Sequence, residues 1–363
     1  MNADSLQALL APPLPWLVSG VILVLLWWAH LGFWVGRLRT HLHYSLCERI
    51  PTADGSAVEL RRVGQNEPTA AAPPVLMVHG VAANHRNLDV RADCSMARHF
   101  AAQGRDVWLL TLRSGRSDLS WRERRNTRYR VMRDHDLPTG VRAVLERTGQ
   151  AQLDLVGFSM GGMLIYGALG RTLPEALVRR VVIVGSPGRV YRPFGFLRVA
   201  GLLPRYVVPP LSLRFWARSF AFMVDYLPGP FHRLVHNPDN VDKGVAPSAL
   251  VDVIESIPGA LAADFGEWLG DEGHLRVEAE HVCEGLRDVR VPVLFFAGAA
   301  DRIARVDGVR YAAERWGADT GQTPTVHVLG VATGYAADYG HGDLAVGRHA
   351  AQDVFEPALR FLD

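Results

Sequence analysis

The chain has 363 residues, 48% of them apolar and 21% charged, which suits one large domain with an insertion or two ordinary ones and excludes wholesale disorder. Thirty-nine Lys and Arg against 37 Asp and Glu leave a formal charge of +2, so no global nucleic-acid footprint exists and any electrostatic targeting is local. Three widely spaced cysteines, Cys47, Cys94 and Cys283, support neither a disulfide framework nor a thiolate metal site.

The first predicted element is a membrane span. Between Asp4 and Arg37 lie 32 residues without Asp, Glu, Lys or Arg, and Leu14 to Val35 is almost wholly apolar. As a helix that stretch rises about 33 Å, which matches a hydrocarbon core of about 30 Å. Trp16 and Trp34 near its ends suit the two interfacial belts. The start Met1-Asn2-Ala3-Asp4 lacks the basic n-region of a cleaved signal peptide, so an uncleaved single-pass anchor is expected over residues 1–40, spanning about 14–35. A buried core helix is the competing reading. Arg37, Arg39 and Arg49 follow the span and no basic residue precedes it, which turns the bulk of the chain to the cytoplasm.

Beyond the span, strand-like and helix-like stretches alternate. Val58 to Val63, Val75 to Val78 and Asp106 to Leu112 read as strands, with Ala92 to Ala102 as a helix between the last two. Asp134 to Arg147 is then helical, Leu153 to Phe158 a strand, Gly161 to Gly170 a helix and Val178 to Val184 a strand. The alternation resumes at Val293 to Phe296, with Gly308 to Trp316 as a helix, Val326 to Leu329 as a strand and Leu344 to Leu362 as a closing helix. This is an α/β pattern with a mainly parallel central sheet and helices on both faces. A short linker, Ala70 to Pro74, is the one low-complexity tract.

The chemistry concentrates at one turn. Gly157-Phe158-Ser159-Met160-Gly161 sits where a predicted strand runs straight into a predicted helix, the setting in which glycines on either side let a strained elbow expose a serine hydroxyl. A nucleophilic serine needs a base, an orienting acid and an oxyanion hole. His341, in Tyr339-Gly340-His341-Gly342-Asp343, follows the last strand and is the expected general base; His349 lies within the closing helix. Asp301 follows the Val293 strand and would orient the imidazole, with Asp307 as the alternative and a helix N-cap as its plain role. Asp343 reads as a cap of the closing helix. The oxyanion donors expected are the Met160 and Val81 amides, the latter after the strand ending at His79-Gly80, with His79 itself structural.

These residues together resemble the α/β-hydrolase superfamily over about Val58 to Asp363. Within it, Asp106-Val107-Trp108-Leu109, Arg113-Ser114-Gly115, the Gly-Phe-Ser-Met-Gly-Gly elbow and the Gly-His-Gly-Asp-Leu ending look like lipases related to gastric and lysosomal acid lipases, and like polyhydroxyalkanoate synthases. The synthases carry cysteine at the elbow, so Ser159 implies ester hydrolysis, with acyl transfer or thioester cleavage as neighbouring chemistries. A membrane-anchored, non-catalytic relative serving as a binding or scaffold protein is the rival of another class. No cofactor or metal is implied.

The 105 residues between Ser186 and Pro292 are too many for a connection, so residues 188–290 are expected to form a cap over a core of 41–187 and 291–363. Arg189 to Val235 combines seven Arg with one acid, Asp225, and with Phe215, Trp216, Phe220 and Phe222, which suits a surface resting on a membrane and admitting lipid, or an apolar cap packed on itself. A second basic stretch, Arg113 to Arg133, carries eight Arg against Asp118 and Glu123 and reads as a solvated or lipid-facing loop. The expected partners are an apolar ester and the membrane, met through the N-terminal helix and the cap, without nucleic acid. Oligomeric state stays open.

Overall fold

The computed structural model describes residues 14–64, 72–191, 197–204 and 207–363. The Met1 to Asp4 start and the first residues of the Ala70–Pro74 linker lie outside them. Helix α1, Leu14–Leu38, is 25 residues long and runs three residues past the predicted end of the span. It is long and apolar enough to cross a membrane, and with only 6% of its apolar window buried it is not a core helix.

Eight strands form one sheet: β1 Tyr44–Pro51, β2 Ala57–Val63, β3 Val75–Val78, β4 Val107–Thr111, β5 Leu153–Phe158, β6 Val178–Val184, β7 Val293–Gly298 and β8 Thr325–Leu329. Their order is β1-β2-β4-β3-β5-β6-β7-β8. The β1–β2 and β2–β4 pairs are antiparallel and the others parallel. β5 and β7 are buried at every position, as strands covered on both faces must be; β7 is a continuous apolar run, and β5 is apolar except for Asp154, which pairs with Arg105 and Arg179. The chain steps outward from β3 to β4 and then back across to β5, which makes the β3–β5 gap the switch point where the carboxyl ends of the strands open a crevice.

Helices α2 (Met96–Ala102), α3 (Leu137–Thr148) and α4 (Met160–Ala168) connect these strands. Side chains alternate between two cores along the sheet: Leu76, Val78 and Leu155 join α3 and α4, whereas Val75, Met77 and Val156 join α2 and the carboxyl-terminal helices. Between β6 and β7 lie α5 (Leu197–Leu202), α6 (Leu213–Phe220), α7 (Pro230–Val235), α8 (Val245–Asp252) and α9 (Gly259–Gly270). This segment is joined to the strand ends by a bridge between Ala83 and Ile254 and by the Glu255 N–H donating to the Ala82 carbonyl at 2.8 Å.

Several boundaries move. β1 escapes the sequence pattern because only Leu46 and Ile50 on its inner face are aliphatic; pairing with β2 through the Thr52–Ser56 turn makes it a strand. The helix expected from Ala92 begins at Met96, because the Ser95 hydroxyl accepts the Arg98 N–H and caps it there. Nor is the closing helix continuous: α10 (Val306–Ala313) is followed by α11 (Asp343–Val346) and α12 (Glu356–Leu362), with a break at Gly347. There the Gly347 N–H turns back onto the Asp343 carbonyl at 2.7 Å, and His349 lies in the turn that follows instead of in a helix.

The basic stretch is a solvated loop only in part, with Arg122, Arg124, Arg125 and Arg130 exposed. Arg113, Arg116 and Arg133 are buried, and each pairs with carboxylates. Trp121 is exposed, with Arg125 stacked 4.5 Å over its ring.

Candidate active site

At the end of β5 the chain reverses within one residue. Ser159 has φ +52° and ψ −118°, a conformation that costs a non-glycine residue of order 1–3 kcal/mol, and α4 starts immediately after it. The turn is held because the Ser159 N–H donates to the Val184 carbonyl of β6 at 2.9 Å. It also requires a bare backbone: a Cβ on Gly161 would lie 2.8 Å from the Val78 carbonyl carbon and closer still to its oxygen. Gly161→Ala therefore pushes α4 off β3, and we expect a loss of about 2–3 kcal/mol in chemical denaturation together with lost activity.

Ser159 is buried, and its Oγ has no hydrogen-bond partner among the described residues. The Gly80 backbone approaches it so closely that a Cβ there would sit 3.0 Å from the Ser159 Cβ. Asn87 Oδ1 accepts the Gly80 N–H at 3.0 Å and holds this loop. The next N–H, that of Val81, finds no acceptor among the described residues. Met160 is the first residue of α4, so its N–H also has no intrahelical acceptor.

His341 stands between β8 and α11, its ring 5.1 Å from that of Phe158, the residue before the serine. Room for the imidazole comes from Gly185, where a Cβ would lie 3.4 Å from Cε1 and Nδ1. Nδ1 contacts Asp301 Oδ2 at 2.7 Å, and both side chains are buried. The other carboxylate oxygen of Asp301 accepts the Ile303 and Ala304 N–H groups at 2.8 and 2.7 Å, which fixes the carboxylate plane. Asp307 instead pairs with exposed Arg305 and takes no part here. The structure thus brings Ser159, Met160, Val81, His341 and Asp301 to one end of the sheet, with His341 beside the residue that precedes Ser159 and no Ser159–His341 hydrogen bond.

His79 is structural. Its Nε2 accepts the Leu112 N–H at 3.0 Å, so Nδ1 carries the proton toward the Gly80 carbonyl at 2.8 Å. Burial pushes its pKa down to about 4. An unfolded histidine binds a proton below about pH 6.5 while folded His79 resists it, so its stability contribution is complete above 6.5 and lost as pH falls toward 4. The loss is on the order of 3 kcal/mol, with buried His232, also lowered to about 4, acting in the same direction. Denaturation of His79→Gln across this window should give a shallower pH slope than wild type.

Asp343 corrects the sequence reading. It does not cap α11; fully buried, it accepts the Gly340 N–H at 2.8 Å, the Asn237 N–H at 3.1 Å and the Asn240 amide at 3.4 Å, with His236 Nδ1 3.2 Å away. One carboxylate therefore ties the His341 loop to the β6–β7 segment. Its only sequence signal was its place two residues after the histidine.

Comparison with known proteins bears on the fold and the family. The lipase lipl-1 of Caenorhabditis elegans is 28% identical over 133 residues, a match that spans only 33% of this chain and 33% of that protein. Among solved structures, an esterase from Exiguobacterium antarcticum superposes with a TM-score of 0.54 at 17% identity, covering 87% of this chain and 99% of that one. An enol-lactonase from Burkholderia xenovorans gives 0.55 at 14% identity, with 87% and 99% covered. At these identities the solved structures speak for the fold. The profile of the family described as alpha/beta hydrolase fold matches residues 73–327, from the strand before His79 to β8. Since that match takes in well over half of the residues and both elements flanking the elbow, the chain belongs to the alpha/beta hydrolase fold family.

Proposed function

We propose that the protein is a membrane-anchored serine hydrolase that cleaves carboxylic esters of lipid or other apolar acyl groups, with Ser159 as nucleophile, His341 as base and Asp301 as orienting acid. The observation that carries this reading is the 2.7 Å contact of His341 Nδ1 with Asp301, set against the residue preceding the elbow serine. With Nδ1 engaged, Nε2 is the ring atom left to take the Ser159 proton as Oγ attacks the ester carbonyl. The unpartnered Val81 and Met160 amides are the donors for the tetrahedral oxyanion. Collapse expels the alcohol, which takes the proton from His341, and leaves an acyl-enzyme. Water activated by the same imidazole then releases the acid.

In this reading α1, exposed and without charge before Arg37, is the anchor, Arg37, Arg39 and Arg49 turn the catalytic part to the cytoplasm, and residues 188–290 act as its cap. The test is a p-nitrophenyl ester panel from acetate to palmitate, combined with fluorophosphonate labelling. We expect turnover of esters and labelling that Ser159→Ala abolishes. Absence of both would identify a non-catalytic relative, and product transfer to added alcohols in preference to water would identify an acyltransferase.

A further inference from the structure

Between α6, α7 and α8 lies a cavity of about 460 Å³, bordered by Leu213, Trp216, Phe220, Met223, Val235 and Leu250 among others. Its volume falls in the range of about 300–1,000 Å³ usual for small-ligand sites, and its walls are apolar except for His232 and His236. One end approaches the chemistry. Ile254 lines the cavity and bridges to Ala83, two residues after the Val81 amide. His236 also lines it and packs on Gly342, the residue after His341, so tightly that a Cβ there would overlap the ring.

The other end meets α1. Phe220 contacts Trp27 with ring centroids 6.5 Å apart, and Phe222 contacts His30 and Trp34 at 4.8 and 5.3 Å. Nor is α1 a loose tether. Just past its end, the Thr40 N–H and hydroxyl both donate to Asp252 Oδ2 at 2.8 Å, Arg86 Nη1 donates to the Thr40 carbonyl at 3.1 Å, and Ser248 Oγ donates to the Leu38 carbonyl at 3.3 Å. The helix is thereby fastened to α8, which sets the height of the cavity relative to the span. Trp27 lies ten residues before Arg37, or about 15 Å deeper along the helix axis, so the rim at Phe220 faces acyl chains and not headgroups. Trp216, Phe220, Leu227 and Phe231 on this rim are exposed.

We propose that this cavity holds the long acyl chain of an ester taken sideways from the leaflet around α1, the span helix forming one side of the entrance. The proposal rests on Ser159 being an ester-cleaving nucleophile, but its occupancy can be tested without turnover. Full-length Ser159→Ala protein is reconstituted in phosphatidylcholine vesicles containing a diazirine-tailed palmitic acid, irradiated, and mapped by peptide mass spectrometry. We expect adducts within residues 213–254 that fall at least fivefold when Ala249→Trp fills the cavity. Adducts confined to α1 would overturn the proposal, because lipid exposure alone accounts for them. In protein with Ser159 intact, Ala249→Trp should lower the palmitate-to-acetate ratio of p-nitrophenyl ester turnover at least tenfold, since each buried methylene is worth roughly fourfold. An unchanged ratio would likewise overturn it. Failure of wild type to cleave any ester would count against the hydrolase reading alone, while the cross-linking still decides the occupant.

Discussion

Ser159→Ala should reduce ester turnover by on the order of 10⁴- to 10⁶-fold while leaving the fold intact. The side chain removed is one hydroxyl whose Oγ bonds to nothing among the described residues, so no native hydrogen bond disappears with it. The backbone strain at φ +52° remains in alanine, however, and glycine relieves it. Ser159→Gly, equally inactive, is therefore expected to be more stable than Ser159→Ala by about 1 kcal/mol, the strain relief exceeding the extra entropy that glycine loses on folding. Turnover of p-nitrophenyl butyrate and chemical denaturation of both variants check the two halves. Alanine equal to or more stable than glycine would mean that the elbow is unstrained, and residual turnover within tenfold of wild type would remove Ser159 as nucleophile.

Arg113→Met should destabilise the protein by about 3–5 kcal/mol, a large fraction of the roughly 5–15 kcal/mol that holds a domain folded. Arg113 is buried, and its guanidinium spans Asp136, 2.6 Å away, and Asp54, also at 2.6 Å. Charge and hydrogen bonds from Arg113 hold the Asp54 carboxyl well below the usual carboxylate range. Asp136 is fully buried, and burial raises its carboxyl to about 6 even beside the cation, so losing Arg113 leaves it either an uncompensated charge in the interior or forced to take up a proton. Adding Asp136→Asn removes that charge and keeps an acceptor for the Arg113 main-chain N–H, which Asp136 Oδ2 binds at 2.8 Å. The double variant should recover part of the loss in urea denaturation of the full chain in detergent. A single variant within 1 kcal/mol of wild type would show that the network contributes little.

The serine elbow was legible because everything that makes it an elbow is local: an apolar strand, glycines two residues before and after, and a helix that follows at once. His341 and Asp301 were legible for a related reason. In a parallel sheet, residues just past strand ends gather at one edge, so their order along the chain implies their meeting. The long apolar helix was legible from composition, since an uncharged run of that length has few uses in water.

Contacts between distant parts of the chain decided the rest. Arg113 reads in sequence as part of a basic surface stretch, and only its partners 23 and 59 residues away make it a buried ion. Asp343 resembles a helix cap until Asn237, 106 residues distant, folds against it. α1 looks like a detachable anchor, yet the residues at its foot reach Asp252 across 212 positions. Periodicity and spacing describe what a segment can do with its neighbours within a few turns. Which polar group becomes buried, and beside whom, is settled when the layers close, because only then does desolvation make one pairing far better than water.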